Sequence, residues 1–309
     1  MLIPVLISLF ILGIISLYLG LLFRIYNRVF VVKERREYWD DSYLGARLLK
    51  DDYRSTIDWA KKTQHKPVSI TSFDGLKLYG RYYDHSINSP NVILIHGYRS
   101  VSNRLLDLAK FYFEDLNMNV LLIDLRGHGL SEGEIVGMGY LDSHDLISWV
   151  NFLNGRSGRD IAIHGLSMGA VAALNAVNIE LDNVKIIIAD SPFSSFKAMM
   201  NFYFRKHYRI PGFIFYGPLS LLTKFTLGFY LDEIDPLSYV AESKYPILLI
   251  HGGHDNRVPA KFSQDIYNAC NSKKEILIIE GADHTFAYVC EFDLYRRKIV
   301  QNLANYIKY

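Results

Sequence analysis

Gly165-Leu166-Ser167-Met168-Gly169 is the stretch whose residue types and spacing point most directly to chemistry. It follows the apolar run Asp160-Ile161-Ala162-Ile163-His164 and precedes the Ala-rich run from Ala170 to Val177, an order that reads strand, sharp turn, helix. A serine in such a turn is held in a strained backbone conformation that lifts its hydroxyl above the sheet, and the flanking glycines remove side chains that would collide there. The chemistry this suits is nucleophilic attack on a carbonyl. Because Gly and Ser are common, Gly-x-Ser-x-Gly arises by chance about once in ten chains of this length, so the surrounding residues must carry the argument.

A serine hydroxyl attacks well only when an imidazole takes its proton and a carboxylate orients that imidazole. Among the histidines, His284 in Gly281-Ala282-Asp283-His284 directly follows the last apolar strand run, whereas His96, His164 and His251 lie at or inside strand ends. His284 is the expected base, His164 reads as a packed histidine, and His128 and His254 remain open to supporting roles. For the acid, Asp255 in His251-Gly252-Gly253-His254-Asp255-Asn256-Arg257-Val258-Pro259 stands on a Gly-rich loop after a strand. Asp190, one strand earlier, is its rival and Asp283 a weaker one. The order Ser167, Asp255, His284 suits nucleophile, acid and base on an α/β sheet. Acyl transfer also needs two amide donors for the oxyanion, one after the nucleophile and one on the loop after an earlier strand. These positions map onto the backbone N–H groups of Met168 and Tyr98.

The elements that must position these residues alternate along the chain. Lys66 to Thr71 and Leu76 to Tyr83 flank Phe73-Asp74-Gly75, a hairpin signal. The β-branched runs Asn91 to Ile95, Asn119 to Asp124, Asp160 to His164, Val184 to Ala189, Pro246 to His251 and Glu275 to Glu280 read as strands buried on both faces. Between them, helical stretches are expected near Asn103 to Glu114, Tyr140 to Leu153 and Lys261 to Ala269, with a last helix from Phe292 to Ile307. Strand–helix alternation predicts an α/β fold with a mostly parallel, doubly wound sheet and functional residues on loops at the strand C-terminal ends. About 55 residues separate the strands ending at Ala189 and beginning at Pro246, more than a crossover needs, so a small helical cap is expected at about 192–244. Its many aromatics, Phe193, Phe196, Phe202 and Phe204 among them, predict an apolar pocket wall. Lys197, Arg205, Lys206 and Arg209 read as a solvated helix face, with a place near anionic headgroups as the alternative.

At the other end of the chain, Leu2 to Phe23 carries no charged side chain and as a helix spans roughly 33 Å, about one bilayer core. A cleaved signal peptide needs a basic leading region, a shorter apolar core and a small-residue cleavage site, none of which precedes Arg24. A transmembrane anchor over residues 1–24 is therefore expected, then a helical linker over 25–65 and the main domain over 66–309. Arg24, Arg28, Lys33, Arg35 and Arg36 all follow the span, which places the domain on the cytoplasmic side of a single-pass membrane protein. With 309 residues and a net charge of +2, the chain suits one large domain and gives no electrostatic case for nucleic acid. Cys270 and Cys290 have no metal-ligand spacing and read as buried free thiols.

Taken together, His96-Gly97, the run Asp124-Leu125-Arg126-Gly127-His128-Gly129-Leu130-Ser131-Glu132-Gly133, Gly165 to Gly169, Gly252 to Pro259 and Gly281 to His284 resemble the α/β-hydrolase superfamily. Within it, the chain is similar to membrane-anchored bacterial serine hydrolases of the serine-aminopeptidase-like and esterase-lipase type. The resemblance covers about residues 66–309. It implies an α/β-hydrolase fold, Ser167, Asp255 and His284 as nucleophile, acid and base, the amides of Tyr98 and Met168 as oxyanion donors, and no cofactor or metal. Leu166 departs from the polar or histidine residue many relatives carry there. The activity expected is cleavage of a carboxylic ester, with lipid-derived esters and thioesters included, through an acyl-enzyme intermediate, with a small-molecule acyl substrate and the membrane as partners. A short-peptide aminopeptidase or amidase on the same machinery, or a non-catalytic membrane-bound scaffold, is the alternative. Epoxide and haloalkane hydrolysis would require an aspartate where Ser167 stands.

Overall fold

The structure, a computed structural model, describes residues 2–32 and 50–308. The expected linker positions Tyr43, Leu44, Leu48 and Leu49, and Lys33, Arg35 and Arg36, lie outside the described residues. The described elements are, in order, α1 (Leu2–Phe30), α2 (Lys50–Lys62), β1 (Lys66–Thr71), β2 (Lys77–Tyr83), β3 (Asn91–Ile95), α3 (Leu106–Lys110), β4 (Asn119–Ile123), α4 (Tyr140–Arg156), β5 (Ile161–Leu166) and α5 (Met168–Asn175). There follow β6 (Val184–Asp190), α6 (Phe196–Tyr208), α7 (Phe213–Leu227), α8 (Pro236–Ala241), β7 (Ile247–Gly252), α9 (Lys261–Ala269), β8 (Lys274–Ile279), α10 (Ala287–Cys290) and α11 (Phe292–Tyr306).

The strands form one eight-stranded sheet in the order β1-β2-β4-β3-β5-β6-β7-β8. β1 and β2 are joined as the hairpin expected at Asp74-Gly75, and β2 runs antiparallel to β4. From β4 to β8 every pairing is parallel, as strands connected by helical crossovers require. Successive side chains of a strand face opposite layers, and β3 shows the result. Ile93 and Ile95 enter the core under α4 and α5, while Val92 and Leu94 enter the core under α3 and α11. This two-sided burial is why its sequence shows no polar alternation.

The stretch expected as one helix near 103–114 instead passes through a 3-10 turn (Ser102–Leu105), α3 and a π turn (Phe111–Asp115). Its start is tied to the sheet by the Ser102 amide, which donates to Asp124 Oδ1 at 2.9 Å.

Two loops shape the upper edge of the sheet. In the loop after β4, Arg126 is 3% exposed in its side chain and bridges Asp74 (2.8 Å) and Asp145 (2.7 Å), pinning the hairpin to α4. The segment between β6 and β7 carries α6, α7 and α8. Ser195 caps α6 by accepting the Ala198 amide at 3.1 Å, and α7 ends at Gly228, whose φ of +87° suits a residue without Cβ. Phe196, Met200, Phe204 and Phe215 turn inward from this segment.

α1 runs beyond the uncharged stretch and is long and apolar enough to cross a membrane. Most of it stands clear of the body, but Leu22, Tyr26 and Phe30 are buried. Phe30 lies 5.8 Å from Phe196 between ring centroids and Tyr18 stacks on Phe215 at 5.4 Å. The chain leaving the helix is held by backbone bonds from Val32 to Glu134 and from Val136 to Phe30, both 2.8 Å.

Candidate active site

β5 ends at Leu166 and α5 begins at Met168, so Ser167 alone makes the turn, at φ 54° and ψ −115°. A non-glycine residue with positive φ is strained, and it persists only where its surroundings leave no alternative. Here those surroundings are close backbone contacts. A Cβ on Gly165 would lie 2.2 Å from the Gly169 carbonyl oxygen, and one on Gly169 would lie 2.4 Å from that of Ile95. Only glycine allows α5 to approach β3 and β5 so closely.

The structure brings Ser167, Asp255 and His284 together. His284 Nε2 is 2.9 Å from Ser167 Oγ, and His284 Nδ1 is 2.6 Å from Asp255 Oδ2. Asp255 is buried at the head of a tight turn, where its Oδ1 accepts the amides of Arg257 and Val258, each at 2.8 Å. Burial alone would raise its pKa. Hydrogen bonds from His251 and His284, the nearby His284 ring and the Val258 amide outweigh that and hold the carboxyl well below the usual range. It is therefore a carboxylate throughout the physiological range.

The rival acid is committed elsewhere. Asp190 accepts the Tyr295 hydroxyl at 3.0 Å and the Ser191 hydroxyl at 2.7 Å. Tyr295 also meets His164 Nε2 at 3.1 Å, and the other ring nitrogen of His164 meets Tyr112 at 3.0 Å. His164 is thus the packed histidine its position suggested, inside a polar network that ties α11 under the sheet. Asp283 accepts its own neighbour's amide, that of His284, at 2.8 Å.

The loop after β3 lies against the serine, since a Cβ on Gly97 would be 3.2 Å from Ser167 Cβ. Gly97, Tyr98 and Met168 line the same cavity as Ser167 and His284. Two buried histidines hold this loop. His96 Nδ1 donates to the Gly97 carbonyl at 2.8 Å while its Nε2 accepts the Leu125 amide at 3.0 Å. His128 Nδ1 donates to the Arg126 carbonyl at 2.8 Å and its Nε2 accepts the Arg99 amide at 3.1 Å. Each ring is neutral in this arrangement. Burial lowers the pKa of His96 to about 4, and burial together with neighbouring His96 lowers that of His128 to about 3. His254 is exposed and lies outside the cavity lining.

The cavity has a volume of about 1050 Å³, large for a small-molecule site. Cap residues such as Phe196, Met200 and Phe215 form one wall. A further part of the wall is one face of α1, formed by Leu21, Arg24, Ile25, Arg28 and Val29. This contribution was missed from the sequence, because the four-residue spacing of the buried Leu22, Tyr26 and Phe30 does not stand out in a helix that is apolar almost throughout. Cys270 is buried as expected, but Cys290 is exposed, because it sits at the last position of the short helix α10. Among the described residues no group of His, Cys, Asp and Glu could hold a metal ion.

This geometry can be set beside known proteins. Residues 88–218 match the family model described as serine aminopeptidase, S33. The chain is 31% identical over 224 residues to the uncharacterized protein YqkD of Bacillus subtilis, covering 71% of this chain and 72% of that protein. The chain belongs to the α/β-hydrolase superfamily. It is also 28% identical over 244 residues to the uncharacterized protein YfhR of Escherichia coli, covering 75% of this chain and 78% of that one. In fold it is similar to the esterase Pf2001 of Pyrococcus furiosus, with a TM-score of 0.66, 23% identity, and coverage of 82% of this chain and 96% of that chain.

The two histidines behind the Gly97 loop make stability depend on pH with a definite sign. Their folded pKa values, about 4 and about 3, lie below the unfolded value of about 6.5. The unfolded chain therefore binds more protons, and stability rises with pH across this interval. Buried Asp142, its pKa raised to about 7 by burial, contributes with the opposite sign, so the histidine contribution is read from a variant: between about pH 6.5 and about 4 the thermal midpoint of His128→Gln is expected to lose less, or gain more, on acidification than that of the wild type. Parallel midpoint curves for the two proteins over that window would contradict neutral burial of His128.

Proposed function

We propose that this protein is a serine hydrolase that cleaves carboxylic esters through an acyl-enzyme on Ser167. The observation that carries the reading is the unbroken hydrogen-bond chain from Ser167 Oγ through His284 to the buried carboxylate of Asp255, opening onto an apolar cavity. Ser167 Oγ attacks the ester carbonyl as its proton passes to His284 Nε2, and Asp255 stabilises the imidazolium that forms. The negative charge on the carbonyl oxygen is met by the amides of Tyr98 and Met168, each such donor contributing about 3 kcal/mol of transition-state stabilisation. The intermediate collapses, the alcohol leaves with the proton from His284, and the acyl group stays on Ser167. Water, deprotonated by His284, then attacks the acyl carbon, and the serine leaves with that proton.

Lining chemistry favours an ester over a peptide. A free N-terminal ammonium would call for a carboxylate or several carbonyl acceptors at the cavity. Among the described residues that line it, none is Asp or Glu and several are Arg. The wall of Phe, Met and Leu side chains suits a medium or long acyl chain. α1 acts in this reading as a single-pass membrane anchor, with Arg24 and Arg28 following the span and the domain on the cytoplasmic side.

A fluorophosphonate probe is expected to label the native protein, with labelling lost in Ser167→Ala and strongly reduced in His284→Ala. Equal labelling of all three would sink the proposal. In ester turnover Asp255→Asn is expected to lose about 10⁴-fold in kcat, whereas a severe loss confined to Asp190→Asn would move the acid to the neighbouring strand. For topology, protease added to intact cells is expected to spare the domain, and digestion from outside would overturn the orientation.

A further inference from the structure

The end of α1 takes part in the site. Tyr98, whose amide is the proposed oxyanion donor, directs its hydroxyl at the carbonyls of Arg28 (3.0 Å) and Val29 (3.1 Å). Arg99 Nη2 donates to the Arg28 carbonyl as well, at 2.6 Å. These carbonyls belong to the last turn of α1, where no further helical amide remains to bond them, and the Arg99 guanidinium is favourably placed against the negative end of the helix dipole. The oxyanion loop therefore rests on the anchor helix.

Charge around the cavity is one-sided. Arg24, Arg28 and Arg257 are exposed and Arg99 is half-buried, and all of them line the cavity. Among the described residues none of these four forms an ion pair with a carboxylate. Gathering guanidinium groups at the rim of an apolar cavity is favourable when an anion sits between them. Depth gives the second constraint. With residues 2–23 across the bilayer, Arg24 and Arg28 lie at the level of the headgroups, one helical turn apart. The cavity wall formed by α1 starts at Leu21 and so spans the last turn of the apolar stretch and the headgroup level above it.

We propose that the substrate is a membrane-resident anionic amphiphile, an acyl ester whose leaving group carries a phosphate, which enters alongside α1 with its phosphate held by Arg24 and Arg28. The acyl chain lies between α1 and the cap helices α6 and α7. The ester carbonyl reaches Ser167 beneath the Tyr98 loop, and Arg99 and Arg257 complete the cationic rim. This inference rests on the esterase reading given above and names the substrate class for that same site.

The test uses the full-length protein in neutral detergent micelles and measures fatty acid released from two esters of equal chain length, palmitoyl lysophosphatidylglycerol and monopalmitoylglycerol. The anionic ester is expected to be cleaved faster by roughly tenfold or more, the discrimination of one charge-assisted guanidinium–phosphate contact. In Arg24→Gln/Arg28→Gln the ratio is expected to fall toward one, and in Arg24→Lys/Arg28→Lys to be largely kept. A ratio taken within one preparation does not depend on how much of the variant is folded. A wild-type ratio near one, or a ratio unchanged in the Gln variant, would overturn the inference. p-Nitrophenyl butyrate separates the two levels of failure. If the wild type cleaves this short ester but neither lipid, or both lipids equally, the headgroup inference falls and the esterase reading stands. If it cleaves no ester and takes no fluorophosphonate, the esterase reading falls and this inference with it.

Discussion

The close approach of α5 to the ends of β3 and β5 is the constraint on which the rest of the site depends. Gly169 lets the first turn of α5 rest on the Ile95 and His96 carbonyls, and Gly165 lets β5 turn under it. The chain can make that turn only by placing Ser167 at positive φ, which stands its hydroxyl above the sheet. The same contact brings the loop after β3 against the serine. A larger residue at either glycine would have to part backbone from backbone, which no side-chain rearrangement can relieve.

From that fixed point, parallel strand order does the remaining positioning. β6, β7 and β8 lie successively beside β5, so the loops after β7 and β8 open on the same edge as Ser167. The turn after β7 orients the Asp255 carboxylate with two backbone amides, and hydrogen bonds from His251 and His284 are foremost in keeping it ionised despite burial. The chain after β8 then places His284 between carboxylate and hydroxyl. Behind the Gly97 loop, His96 and His128 serve as neutral rigid supports whose two nitrogens are both engaged.

Much of this was legible because it is local. Buried parallel strands announce themselves as β-branched runs, Asp-Gly marks a hairpin, and a serine between spaced glycines after such a run marks a turn. The choice between Asp190 and Asp255 was not local. It depends on Tyr295, 105 positions beyond Asp190, reaching under the sheet to occupy that carboxylate, and a linear pattern carries no trace of such a contact. α1 was hidden for a different reason. Its apolar composition satisfies the requirement for a bilayer so fully that the spacing of Leu22, Tyr26 and Phe30, which packs the end of the helix on the domain, adds nothing visible to hydropathy. The pitch change through Phe111–Asp115 and the exposure of Cys290 likewise follow from packing beyond the local sequence.

The helix long and apolar enough to cross a membrane thus also walls the cavity and supports the loop beside Ser167. The central claim, covalent acyl transfer through Ser167, is tested most directly by acid-quenching the full-length protein early in its reaction with a slowly deacylating ester and locating the adduct by peptide mass spectrometry. The account predicts one acyl group on the peptide containing Ser167, formed in a burst that precedes steady turnover. Turnover without any adduct, or an adduct on a different residue, would contradict it.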